Sequence, residues 1–122
     1  MRSDIRLVLI EPVRKKCSFL NSVIGLLKLQ DVSTYDGTIE QYAKRPIRHA
    51  IDMVVVRALK YEEIRKHISA LLTSKGKIVL YRTEAISKQE IGEEFHLVSE
   101  TALVLPQGSG KRVITVMERN SF

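Results

Sequence analysis

The chain predicts an α/β fold of three layers, with a mostly parallel sheet and a C-terminal antiparallel hairpin. Three observations carry this. Short apolar runs alternate with amphipathic segments of helical period, the pattern of a sheet with helices on both faces. The runs at 5–10, 52–56 and 77–81 are apolar almost throughout, as in strands covered on both sides. The end of the chain instead holds two longer strand patterns joined by a Pro/Gly loop, which reads as an antiparallel pair. A length of 122 residues suits one domain, 1–122, able to bury roughly two-thirds of its unfolded surface.

Ile5 to Ile10 is the first strand, and Glu11 closes it. Pro12 fits the first position of a helix, where its missing N–H costs nothing. Val13, Cys17, Leu20, Val23, Ile24 and Leu27 then recur at three- and four-residue spacing. Arg14, Lys15 and Lys16 fill the first turns. The helix dipole disfavours cations there by roughly a few tenths of a kcal/mol, which tilts toward an anionic partner. Asp31 to Tyr35 reads as a second strand, Asp36-Gly37 as a turn, and Thr38-Ile39-Glu40 as the opening of a short helix. A basic loop runs from Lys44 to Ala50. Asp52 to Val56 is the next strand, closed by Arg57-Ala58. Leu59 to Thr73 forms a helix with Ile64, Ile68, Leu71 and Leu72 on one face, and Lys75-Gly76 reads as its C-terminal stop. Lys77 to Tyr81 is a strand, and Ser87 to Glu94 is weakly helical. Phe95–Leu105 and Arg112–Glu118 are the paired strands, joined by Pro106-Gln107-Gly108-Ser109-Gly110.

Twenty Lys and Arg against fourteen Asp and Glu give a net charge of +6, which suits a polyanionic partner. The single cysteine, Cys17, rules out an intrachain disulfide and fits a reducing compartment; its place in the helix pattern makes it a core residue. His49, His67 and His96 lack metal-ligand spacing, so no metal is expected. No apolar run approaches the ~18 residues of a membrane span, and no signal peptide is read. A cytoplasmic protein without a membrane partner is the expectation.

Glu11 stands at a strand–helix junction. In a nucleotide-binding α/β fold an acid there holds a ribose. It could equally cap the helix. Arg14-Lys15-Lys16 could face an anionic ligand or only solvent. Arg57 could pair with Asp52, Glu62 or Glu63. Gly108-Ser109-Gly110-Lys111 is no phosphate loop, because Leu105 stands where the first glycine belongs and a strand follows.

Four stretches then occur in order: RSDIRLVLIEPVRKKCSFL at 2–20, DMVVVRAL at 52–59, KIVLYR at 77–82 and KRVITV at 111–116. In sequence and spacing they resemble the 16S rRNA guanine-N7 methyltransferases, also called glucose-inhibited division protein B. The resemblance implies an incomplete class I S-adenosylmethionine-methyltransferase-like (Rossmann-like) fold with strand order 3-2-1-4-5-7-6. It implies methyl transfer to N7 of a guanine in 16S rRNA. By the family pattern Glu11 holds the cofactor's ribose, and Thr38, Ile39 and Glu40 lie where the adenine is met. Lys15 and Lys16 stand at the family's basic helix positions, and Arg57, Arg82 and Arg112 at positions facing RNA. Thr38 replaces the usual arginine, Arg82 the usual lysine, and Thr83 the glycine after it.

The same resemblance leaves out the N-terminal helices, the first strand and its Gly-rich cofactor loop. The expectation is a chain that binds S-adenosylmethionine very weakly and is inactive or incomplete alone. Its unpaired strand edges would be met by a second copy or a completing segment. The alternative is a non-catalytic basic α/β module that binds RNA or a protein partner.

Overall fold

The computed structural model describes residues 5–46, 49–57 and 59–120. Arg2, Ser3 and Asp4 of the first matched stretch, Ile47 and Arg48 of the basic loop, and Ala58 after the third strand lie outside the described residues. The chain forms two compact units, Met1–Arg45 and Pro46–Phe122.

The first unit contains β1 (Leu7–Glu11), α1 (Arg14–Leu26), β2 (Val32–Asp36) and α2 (Ile39–Ala43). β1 and β2 are parallel, from Leu7 opposite Val32 to Glu11 opposite Asp36. α1 is therefore a crossover helix, and Cys17 is buried on it as expected. Pro12 is not its first residue: Val13 is the N-cap and the helix begins at Arg14. Thr38 and Gln41 form a capping box that starts α2.

The second unit contains β3 (Ile51–Val56), α3 (Tyr61–Leu71), β4 (Leu72–Arg82), α4 (Lys88–Ile91), β5 (Phe95–Val104) and β6 (Lys111–Arg119). The sheet order is β3-β4-β6-β5. β3 and β4 are parallel, and both ladders of β6 are antiparallel, so this sheet is mixed. Within their own units, β2-β1 and β3-β4-β6-β5 match the implied orders 3-2 and 4-5-7-6. The structure bears out the expected class: an incomplete Rossmann-like sheet with a C-terminal antiparallel hairpin.

α3 buries Tyr61, Ile64, Ile68 and Leu71, and the sheet residues Ile78, Leu80, Val113 and Met117 are buried with them. Each such side chain contributes roughly 1.5–3 kcal/mol of transfer free energy. The Tyr61 hydroxyl donates to the Ile91 carbonyl at 3.0 Å, and burial pushes its pKa up to about 12. On the opposite face of the sheet, Met53, Val55 and Tyr81 are exposed.

The end of α3 differs from the sequence reading. The helix stops at Leu71 and β4 begins at Leu72, with no glycine cap between. Two distant residues take up the carbonyls of the joint. His49 N–H donates to Ala70 O at 3.0 Å, and its Nδ1 lies 3.0 Å from Leu72 O. From β6, Arg119 reaches Ser69 O at 2.6 Å, Leu72 O at 3.3 Å and Thr73 O at 3.2 Å. Gly76 lies inside the strand, where a Cβ would sit 2.7 Å from the buried Leu72 side chain.

Candidate functional site

In the first unit the site is built at the carboxyl ends of β1 and β2. Parallel pairing sets Glu11 beside Asp36 there, at the end of a parallel sheet where α/β folds bind ligands. The Gly37 N–H donates to the Glu11 carbonyl at 3.1 Å. A Cβ on Gly37 would come within 2.5 Å of Gln41 and 2.7 Å of Tyr35, so this tight turn needs glycine. Glu11 Oε2 accepts the Val13 N–H at 3.1 Å, one of the donors that an uncapped helix start leaves unpaired. Capping and ligand binding are compatible here, because a carboxylate has about four acceptor sites and this bond takes one.

The Thr38-Ile39-Glu40 segment opens α2. Thr38 Oγ1 accepts from Gln41 N at 3.2 Å, and Gln41 Oε1 accepts from Thr38 N at 2.8 Å. Glu40 faces solvent, 3.7 Å from Lys44. Tyr42 is buried and meets Tyr35 edge-on with centroids 5.0 Å apart, and the Arg45 guanidinium lies 5.6 Å and 5.3 Å from the two ring centres. That cluster fixes α2 against the end of β2. Lys15 and Lys16 are exposed in the first turn of α1, and Arg14 there reaches Asp36 at 3.5 Å.

In the second unit the three arginines have different surroundings. Arg57 is exposed just past β3, with its guanidinium 5.7 Å from the centre of the Tyr81 ring. Among the described residues no ion pair to Asp52, Glu62 or Glu63 accompanies it. Arg112 lies half-buried on β6, its Nη1 2.9 Å from Lys111 O. Arg82 is bound within the protein: its Nη2 sits 2.9 Å from Glu90 Oε2, and its Nε donates to Glu84 O at 3.1 Å. Glu90 is held down to about 2, chiefly by the Ser87 N–H and then by Arg82, with partial burial acting the other way.

The sequence reading overlooked both capping boxes, although T-x-x-Q at 38–41 and S-x-x-E at 87–90 are readable signals. It also overlooked Tyr81. Period-two alternation with the buried Ile78 and Leu80 puts Tyr81 on the outer face. Among the described residues no group of three or more His, Cys, Asp or Glu is placed to hold a metal ion.

Comparison with known proteins sets these residues in a family. The family described as GidB, rRNA small subunit methyltransferase G, matches residues 1–113. The ribosomal RNA small subunit methyltransferase G of Treponema denticola is 32% identical over 104 residues, covering 82% of this chain and 37% of that protein. The protein of the same description from Syntrophus aciditrophicus is 31% identical, covering 97% of this chain and 53% of that one. The chain thus spans about half the length, or less, of these relatives. Among solved structures, a putative O-methyltransferase from Klebsiella pneumoniae superposes with a TM-score of 0.69 at 15% identity, over 99% of this chain and 64% of that one. A Burkholderia thailandensis N1-methyltransferase with bound S-adenosylhomocysteine gives 0.65 at 11% identity, over 94% and 71%. These likenesses establish a methyltransferase-type fold.

Proposed function

Because the chain belongs to the rRNA small subunit methyltransferase G family, we propose that it carries the ribose-holding and RNA-facing parts of an S-adenosylmethionine-dependent enzyme that methylates N7 of a guanine in 16S rRNA. The observation that carries this reading is the family match over 1–113 with Glu11 at the carboxyl end of β1, where a ribose-binding acid belongs. In this reading residues 1–122 are parts of one methyltransferase domain. An rRNA substrate supports a cytoplasmic location. No helix among the described residues is long and apolar enough to cross a membrane.

The residues fit one end of the cofactor. Glu11 keeps acceptor capacity for two ribose hydroxyls after binding Val13, and the Gly37 turn brings Thr38, Ile39 and Glu40 beside the same strand ends. The methionine end calls for a glycine turn after a further strand, so that backbone can approach without a Cβ clash. Among the described residues, Gly37 is the glycine that directly follows a parallel strand, and its space is taken by Gln41 and Tyr35. These residues therefore do not fit the methionine end, and no catalytic step is derived through it. Guanine N7 offers a lone pair and no proton, so a chain that only positions the base needs no general base. Lys15, Lys16, Arg57 and Arg112 supply positive charge for the phosphates.

Among the described residues, β1 pairs only with β2, and β3 only with β4, on one side each. Their other edges carry backbone donors and acceptors that favour a second copy or a completing strand. Titration of the 122-residue chain with a 16S rRNA fragment and with S-adenosylmethionine tests the reading. The expected result is salt-sensitive RNA binding, very weak cofactor binding, and a mass by light scattering that rises with concentration. No RNA binding at low salt would overturn the substrate. A micromolar one-to-one isotherm with S-adenosylmethionine would overturn the incompleteness.

A further inference from the structure

We propose that Tyr81 and Arg57 form a stacking platform for one unpaired nucleobase of an RNA strand, a role that rests on the RNA reading above and adds to it a contact with a base. The platform lies at the carboxyl end of the parallel pair β3–β4. Val56 is opposite Leu80 in the ladder, so Arg57 falls beside Tyr81. Val56 and Leu80 point into the core, and Tyr81 points out from the other face, 45% exposed. The contrast with Tyr61 is direct: that ring is buried and its hydroxyl is bound to Ile91.

The Arg57 guanidinium covers one side of the Tyr81 ring at 5.7 Å. A planar cation held on an aromatic face keeps its outer face open to a second flat ring, and nucleobases stack on both arginine planes and tyrosine rings. Charge at this end favours a polyanion. Across the outward rows, β3 and β4 give Val55, Arg57, Val79 and Tyr81, and β6 gives Ile114 and Arg112. These rows hold two guanidiniums and no carboxylate. Ile114 lies opposite Tyr81 and Arg112 one step further toward the same end, placed to meet a phosphate next to the stacked base. Arg82 has no part in the platform, because its guanidinium is bound to Glu90.

The test uses the full chain, a fluorescently labelled single-stranded oligoribonucleotide, and an abasic oligomer of equal length and charge. Removing one base–aromatic stack weakens binding roughly five- to hundredfold. Y81L is expected to lose that much affinity for the RNA while binding the abasic oligomer as the native chain does. Y81F is expected to retain affinity, and both are expected to keep the native slope of log K against log salt. R57Q is expected to lose affinity for both ligands and about one unit of that slope. Native affinity in Y81L overturns the platform and leaves the RNA reading intact. Equal losses for Y81L on both ligands also overturn the platform, because the ring would then be acting on the fold or the charge. A native chain that binds neither ligand overturns the RNA reading and the platform with it.

Discussion

Replacing Arg119 with methionine removes the clamp on the α3–β4 joint while keeping a long apolar stem. The guanidinium makes three bonds to main-chain carbonyls, at 2.6, 3.2 and 3.3 Å. A hydrogen bond from a charged donor is worth about 1.5–3 kcal/mol when lost. The shortest bond deserves that value, and the two longer ones less. Leu72 O keeps His49 as a partner, which limits its own loss. The pair with Glu94, at 3.5 Å on a half-exposed carboxylate, adds little. Stacking over Phe95 at 5.3 Å adds about 0.5–1 kcal/mol. The total is about 3 kcal/mol. For a chain of 122 residues that lowers the thermal midpoint by roughly 12 °C. Urea unfolding followed by circular dichroism measures it, with R119K as the companion. Lysine's single ammonium cannot span three carbonyls, so it should recover less than half of the loss. A cost below about 1 kcal/mol for R119M would show that water satisfies these carbonyls and that the clamp is idle.

Two further outcomes follow from the second unit. G76A forces a methyl group against the buried Leu72, which has no free side to move to, and should cost about 1–3 kcal/mol in urea unfolding; a neutral result would mean the strand shifts without penalty. Glu90 is held below its ordinary 4.5, to about 2, by Ser87 and Arg82. Its folded pKa is depressed, so its contribution is fully present above about 4.5 and is lost as pH falls toward about 2. The native chain should lose more stability over that window than E90Q, which has no carboxylate to protonate, and equal losses would remove Glu90 from the acid response.

What could be read from the residues was the part set by neighbours in the chain. Apolar runs located β1, β3 and the second half of β4, while the first half of β4, at 72–76, reads in sequence as the end of a helix. Cys17 was legible as core from its helical spacing. The Leu71–Leu72 joint was not legible, because the group that replaces a glycine cap lies 47 residues downstream of Leu72 on β6. Gly76 reads as a helix stop because glycine has that use at helix ends, whereas in the fold it leaves room for the buried Leu72 side chain of its own strand. At the site, Glu11 was legible as a strand-end acid. Its bond to Val13 shows the capping role and leaves acceptor capacity for the ribose role proposed above. Arg82 read as a free cation because its partner Glu90 sits on another element, and only folding brings them together.

The sheet order also has a consequence for synthesis. Among the described residues β5 pairs with β6 alone, and β6 follows it in the chain. Until β6 has also left the ribosome, Phe95–Val104 is a solitary ribbon with no strand to pair with. Such a ribbon is what holdase chaperones grip and what neighbouring nascent chains stick to. A chain ending before Lys111 should accordingly be less soluble than the full 122 residues.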